Sequence, residues 1–272
     1  MYIISELWIY PIKSLGGISV SESKVEIKGL QHDRRWMLVD GAGRFVTQRE
    51  LPAMALLRTA LEPSDLLVFP TGKQSEPLRI PLAPEEDTME RVMVDVWGDR
   101  CASKVFPDSI NDWFSGILGQ SLRLVMMPNT TRRRADGRYA PKGQYVSFAD
   151  GFPFLLAGQS SLDDLNGRLL QPLPMNRFRP NIVFTGGGPF EEDGWEGFDI
   201  GDQPFRGVKP CARCVVTTID QDTGERAAEP LKTLSAYRKI GNKIRFGQNV
   251  VWLGEGTAIL RVGDVLRPYD GP

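Results

Sequence analysis

Residues 209–220 read KPCARCVVTTID, and the reading of this stretch decides which folds stay open. Cys211 and Cys214 stand three apart and lead into the β-branched run 215–219, whose residue types predict a strand. A Cys-x-x-Cys pair can chelate a metal, form a redox disulfide, or do neither. The thioredoxin-like arrangement sets such a pair between a strand and the start of a helix, so a following strand argues against that fold. Lys209 and Arg213 flank the cysteines, and neighbouring cations favour the thiolate, the form that binds soft metals. Two partly buried cysteines with no chemistry at all stay open as the plain alternative.

The ligand supply narrows the choices. The chain has three cysteines, the third being Cys101, and one histidine, His32. A zinc site wants about four Cys or His ligands, or three and a water, and a four-cysteine iron–sulfur cluster cannot be built. An odd cysteine count also speaks against a secreted disulfide framework. With 41% hydrophobic and 25% charged residues the 272-residue chain can bury a core. Its net charge of −1 supplies no overall field toward nucleic acid or an anionic membrane. No apolar run reaches the roughly 18 residues of a membrane span, and the opening MYIISELWIYPIKS lacks signal-peptide character. The expectation is a cytoplasmic protein with no membrane and no nucleic-acid partner.

Working outward, short strands dominate. Ile3, Leu7 and Ile9 fall on one period-2 face before Pro11. RWMLVD (35–40), the turn GAGR and FVTQRE (45–50) read as a hairpin. Further strands are expected in 56–62, 65–69, 78–82 and 91–98, and such repetition points to a barrel or curled sheet. Asp108 or Ser109 is expected to cap a helix over 110–119 that stops at Gly119. A strand over 121–127 precedes a basic, aperiodic loop, 128–144, carrying Arg132, Arg133, Arg134 and Arg138. Beyond it, strands in 152–158 and 181–186 alternate with helices over 160–170 and 230–240, and 243–268 supplies two or three strands. TGGGPF (185–190) does not fit a dinucleotide fingerprint. The fold class is mixed α/β, predominantly β, divided at about residues 100–125 and drawn as 1–118 and 119–272.

The cysteine segment, together with WIYPIKSLGG (8–17), DRRWMLVD (33–40), FVTQRE, FADGFPFLLAGQSSLDDLN (148–166), NRFRPNIVFTGG (176–187) and VGDVLRP (262–268), resembles MOSC-domain proteins of the amidoxime-reducing branch. The resemblance is collinear over nearly the whole chain. It implies an N-terminal β-barrel domain followed by a C-terminal MOSC barrel with flanking helices. It also implies a molybdenum–molybdopterin cofactor with Cys214 as catalytic thiolate and metal ligand, and Cys211 as a neighbour. Lys13 and Ser14, Arg34, Arg179 and Asn181 match the family's cofactor contacts, with Ala212 and Arg213 beside the pterin through their backbone. A phosphate-ended pterin needs such cations and N–H donors. Gly151 and Phe152 fall where relatives often place small hydroxyl residues, and Asn249 where some place an aromatic. Thr47 and Arg49 are expected near the pocket, and the arginine loop is either a contact for substrate or a redox partner or a plain mobile charged loop. Pyridoxal phosphate binding is left open by the resemblance.

The implied activity is reduction of a small N-hydroxylated substrate by oxygen-atom transfer to molybdenum. Because the chain ends at Pro272 without cysteines for an iron–sulfur domain, electrons are expected from a separate ferredoxin, flavoprotein or cytochrome. The rival is a sulfur-carrier or cofactor-handling protein bearing a persulfide on Cys214. A nucleic-acid-binding barrel using the arginine loop ranks last, given a net charge near zero and no clear RNA-binding motif.

Overall fold

The computed structural model describes residues 1–72 and 76–269, so the chain end at Pro272 lies outside the described residues. Seven strands close on themselves into a barrel. In spatial order they are Phe154–Gly158, Ile182–Thr185, Tyr2–Ile9, Val265–Tyr269, Gly197–Ile200, Gln203–Ala212 and Lys243–Trp252. Pairing of Phe154 with Val250 and Leu156 with Gln248 returns the last strand to the first. Neighbours are antiparallel except the first two, which run parallel. The first strand of the chain is thus a stave between segments from its far end.

Alternation fills the barrel. Leu7, Ile9, Phe154, Leu156, Phe198, Ile200, Phe205 and Leu266 point into one core. Ile3 is not on the buried face as expected, and Ile4 takes its place with no exposed surface. A register shift between Ile4 and Glu6 is the cause, because one extra residue turns the preceding side chains to the other face.

The strand Gln203–Ala212, unread in the sequence, aims the cysteine segment. It shifts register between Gly207 and Lys209 and again between Pro210 and Ala212. Pro210, which has no N–H to give the ladder, still pairs with Gln248, and the second shift follows it. A side chain at Gly207 would meet the Trp195 carbonyl oxygen at 1.9 Å, so only glycine fits there. The expected strand after Cys214 is instead a 3₁₀ turn, Val215–Thr218. The Thr217 amide and hydroxyl both donate to the Cys214 carbonyl, at 3.1 and 2.9 Å, and this local bonding overrides β-propensity.

The other unit packs two sheets and a helix. One sheet has the order Trp36–Val39, Arg123–Met126, Asp99–Val105, Arg91–Val96, and the other joins Leu57–Leu61, Asp65–Pro70 and Leu78–Pro81. The helix Asp108–Leu118 buries Ile110, Phe114 and Leu118 against Ile12, Trp36, Leu66 and Ile80. It ends as expected at left-handed Gly119, but Pro107 holds the N-cap position and neither Asp108 nor Ser109 caps it. Buried Asn111 bonds Phe106 and Leu124 instead, each at 2.8 Å. The 35–50 hairpin is reduced to one bridge, Val39 to Phe45, flanked by bonds from the Asp40 amide to the Arg44 carbonyl and from the Val46 amide to the Leu38 carbonyl.

Candidate functional site

A cavity of about 150 Å³ opens where the two units meet. Lys13, Ser14, Arg34, Arg179, Asn181, Ala212, Arg213 and Cys214 all line it, as do Thr47, Arg49, Gly151, Phe152 and Asn249. Lys13 and Ser14, just after the first stave, and Ala212 to Cys214, at the end of the strand Gln203–Ala212, line it together although about two hundred residues separate them in the chain. Five cationic side chains (Lys13, Arg34, Arg49, Arg179 and Arg213) face one lining carboxylate, Asp150. That imbalance calls for an anion.

Backbone strain gathers at the same place. Ser14, Arg34 and Arg179 have φ of 71, 48 and 54°, and Trp97, which touches the rim, has φ of 58°. Left-handed φ is uncommon outside glycine and is held only where the surroundings over-determine it.

The two matched arginines differ in what holds them. Arg34 donates through Nη1 to both oxygens of fully buried Asp33, at 2.9 and 2.8 Å, and to Asn181 Oδ1 at 3.1 Å. Its Nη2 donates to the Arg179 carbonyl at 3.1 Å. Asn181 is likewise committed: its amide donates to the Trp8 carbonyl and its oxygen accepts from the Leu155 amide. Arg34 and Asn181 therefore brace the wall. Arg179 is 9% exposed, its Nη2 is buried without a partner, and burial lowers its pKa to about 10.

A second cluster surrounds Asp150. Its carboxylate accepts from Lys13 Nζ at 2.5 Å, Trp97 Nε1 at 3.1 Å and Arg49 Nη2 at 3.3 Å. Partial desolvation opposes ionisation, but Lys13 and Arg49 outweigh it and hold this carboxyl well below the usual range. Lys13 also donates to the Phe148 carbonyl at 2.8 Å, and its own pKa is pushed down by burial. Arg49 stacks 4.7 Å from the Trp97 ring and lies 3.5 Å from Cys214 Sγ. A cation from the first unit thus stands on the sulfur of the second.

Cys214 begins the 3₁₀ turn and is half-buried. Cys211 Sγ accepts from Arg213 Nη1 at 2.9 Å, while Arg213 Nη2 donates to the Phe178 carbonyl at 2.6 Å. The Arg213 backbone N–H is spent on the Ile244 carbonyl, leaving its carbonyl side for any backbone contact. Cys101 is buried in a separate core cluster. Buried Gln48 and Gln221 bond one another and tie the Ser14 carbonyl to the turn after Ile219.

The loop arginines separate. Arg133 is buried and donates to Ser147, Ala149 and Asp150 carbonyls, so it is structural, whereas Arg132, Arg134 and Arg138 are exposed. Asp33, Asp150 and Tyr10 were not singled out in the sequence. Their signal was present as an acid beside cations in HDRR and an acid before Gly151, but such pairs are common on surfaces.

The residues fit a phosphate-bearing pterin with a thiolate-bound metal. Arg179 and the Arg213 Nε are buried donors without partners, and Cys214 offers a sulfur beside them. Among the described residues no group of three or more His, Cys, Asp or Glu could hold a metal, so a metal here would lean on the cofactor's own sulfurs. No helix of the described residues is long and apolar enough to cross a membrane.

Comparison with known proteins agrees with this geometry. Residues 1–121 match the MOSC N-terminal beta barrel domain, and residues 143–267 match the MOSC domain. The chain is 35% identical over 280 residues to mitochondrial amidoxime-reducing component 1 of Mus musculus, covering 96% of this chain and 80% of that one. Mitochondrial amidoxime reducing component 2 of Rattus norvegicus is 36% identical over 290 residues, with 98% and 83% covered. Molybdenum cofactor sulfurase of Arabidopsis thaliana is 29% identical over 284 residues, which are 94% of this chain but 35% of that protein. With both domains matched in order and relatives aligned over most of their length, the chain belongs to the MOSC family.

Proposed function

We propose that this protein is a molybdenum-cofactor-dependent reductase of small N-hydroxylated compounds. The observation that carries the reading is Cys214 on the wall of a cation-lined cavity whose buried Arg179 has no anion of its own. Relatives named for amidoxime reduction support it. When bound, the cofactor supplies two-electron oxygen-atom-transfer chemistry, and the protein's part is to bind and orient.

In this reading Cys214 offers its thiolate to the metal. Lys13, Ser14 and Arg179 hold the anionic end. Arg34 and Asn181 fix the backbone that carries Arg179, and Ala212 and Arg213 border the pterin. Arg49 sets a positive charge beside the sulfur, anchored by Asp150 and Trp97. A separate ferredoxin, flavoprotein or cytochrome delivers electrons, and the cytoplasm is the proposed location.

The sulfurase relative favours one rival, a sulfur-carrier or cofactor-handling protein with a persulfide on Cys214. Molybdenum and released pterin, measured in protein from a cofactor-making host, test both. Near-stoichiometric molybdenum, with benzamidoxime reduced at the expense of reduced methyl viologen, is the expected result. No molybdenum, with labile sulfur on Cys214, would hand the case to the rival.

A further inference from the structure

The ring of Tyr10 has Arg34 and Arg179 packed on it, with guanidinium carbons 4.4 and 4.2 Å from its centre. The two guanidiniums thus share one aromatic ring as a packing surface. Tyr10 is 2% exposed and its hydroxyl has no partner. Its backbone is pinned at both ends: the amide donates to Asp33 Oδ1 at 2.8 Å, and the carbonyl accepts from the Arg34 amide at 2.9 Å. One ring edge occupies the space over Gly17, where a Cβ would meet Tyr10 Cε1 at 2.5 Å.

Charge balance separates the two arginines. Arg34 is neutralised by Asp33, whereas the Arg179 side chain makes no hydrogen bond among the described residues. A buried guanidinium with open N–H groups is costly unless something compensates it. The electron-rich face of Tyr10 does so in part. The remaining need is for an acceptor that matches a guanidinium fork, and a phosphate monoester does.

We infer that Tyr10 is the positioning residue of an anion site, its ring acting as a π-surface that holds Arg179 beside Arg34 and aimed at a phosphate group. The hydroxyl contributes nothing to this; the π-faces do. The inference leans on the proposed cofactor only for what larger molecule carries the phosphate.

The test is calorimetric titration of the cofactor-free full chain with inorganic phosphate and pyrophosphate. Tyr10→Phe keeps both ring faces and is expected to bind within about twofold of the parent. Tyr10→Leu removes them and is expected to bind about tenfold more weakly or worse. Equal binding by Tyr10→Leu, an equal loss in Tyr10→Phe, or no phosphate binding by the parent would each overturn the inference. Should Tyr10→Leu not fold, the parent protein decides the matter by NMR. The Arg34 and Arg179 guanidinium protons should both carry the ring-current shift of a π-face, with the Arg179 signals moving on phosphate addition. Ordinary shifts, or Arg179 signals indifferent to phosphate, would refute it. Phosphate binding as expected in a chain that never retains molybdenum or pterin would instead overturn the proposed function and leave this inference standing.

Discussion

The two walls of the cavity are built by opposite means. The barrel wall places Cys214 chiefly through its backbone, by a glycine that admits the Trp195 carbonyl, two register shifts around Lys209 and Pro210, and a 3₁₀ turn closed on the cysteine's own carbonyl. The facing wall is made of side chains bonded to one another, with Asp33, Arg34 and Asn181 in one network and Lys13, Asp150, Arg49 and Trp97 in another. Backbone placement leaves the sulfur free for chemistry. Side-chain networks hold like charges together that would otherwise part, and they are costly to break once buried.

Replacing Cys214 with Ala should break the comparison outright. Turnover of benzamidoxime with reduced methyl viologen is expected to fall on the order of 10³-fold or more, with the fold intact by circular dichroism. Retained turnover would remove the sulfur from the mechanism. Next in size is Asp33→Asn, which removes the fully buried charge partner of half-buried Arg34. A loss of about 3–5 kcal/mol in denaturant unfolding is expected, as for other broken buried pairs.

Arg179→Gln sharpens the contrast because stability and binding should move apart. Cofactor retention should fall by about 10–100-fold, while the cofactor-free protein should be unchanged or more stable by on the order of 1 kcal/mol, since an uncompensated buried charge is gone. A loss of stability like that of Asp33→Asn would show that the two arginines do the same job.

Lys28 offers a pH test away from the cavity. It is buried, donates to the Asn129 carbonyl at 3.1 Å, and burial lowers its pKa to about 8 from 10.5. Between these values the unfolded chain binds more protons than the folded one, so this lysine makes stability rise with pH from about 8 to 10.5 and is unfavourable below. Lys28→Met should flatten that rise in unfolding measured across the window; an unaltered slope would contradict it. Smallest of all, Cys211→Ser should alter turnover by less than about threefold, because Arg213 keeps its bond to the Phe178 carbonyl.

Legibility followed locality. Strands 57–61, 65–70, 78–81 and 91–96 were readable because alternation and turn residues are local signals. The strands Gly197–Ile200 and Gln203–Ala212 were not, being rich in Gly, Pro and polar residues and stabilised by their neighbours across the barrel. The run after Cys214 reads as a strand by residue type and coils because Thr217 finds the Cys214 carbonyl. Arg133 lay within a loop that looks uniformly solvated, yet three carbonyls take it inside.

By itself the sequence determined the residue inventory of the site: two cysteines beside cations, too few ligands for zinc or an iron–sulfur cluster, and arginines inside collinear motifs. Only the tertiary structure decided which arginine is braced and which is open, and that Tyr10 packs against both. Those distinctions depend on contacts between residues 10, 33, 34, 179 and 181, and no local pattern encodes how distant segments share a buried charge.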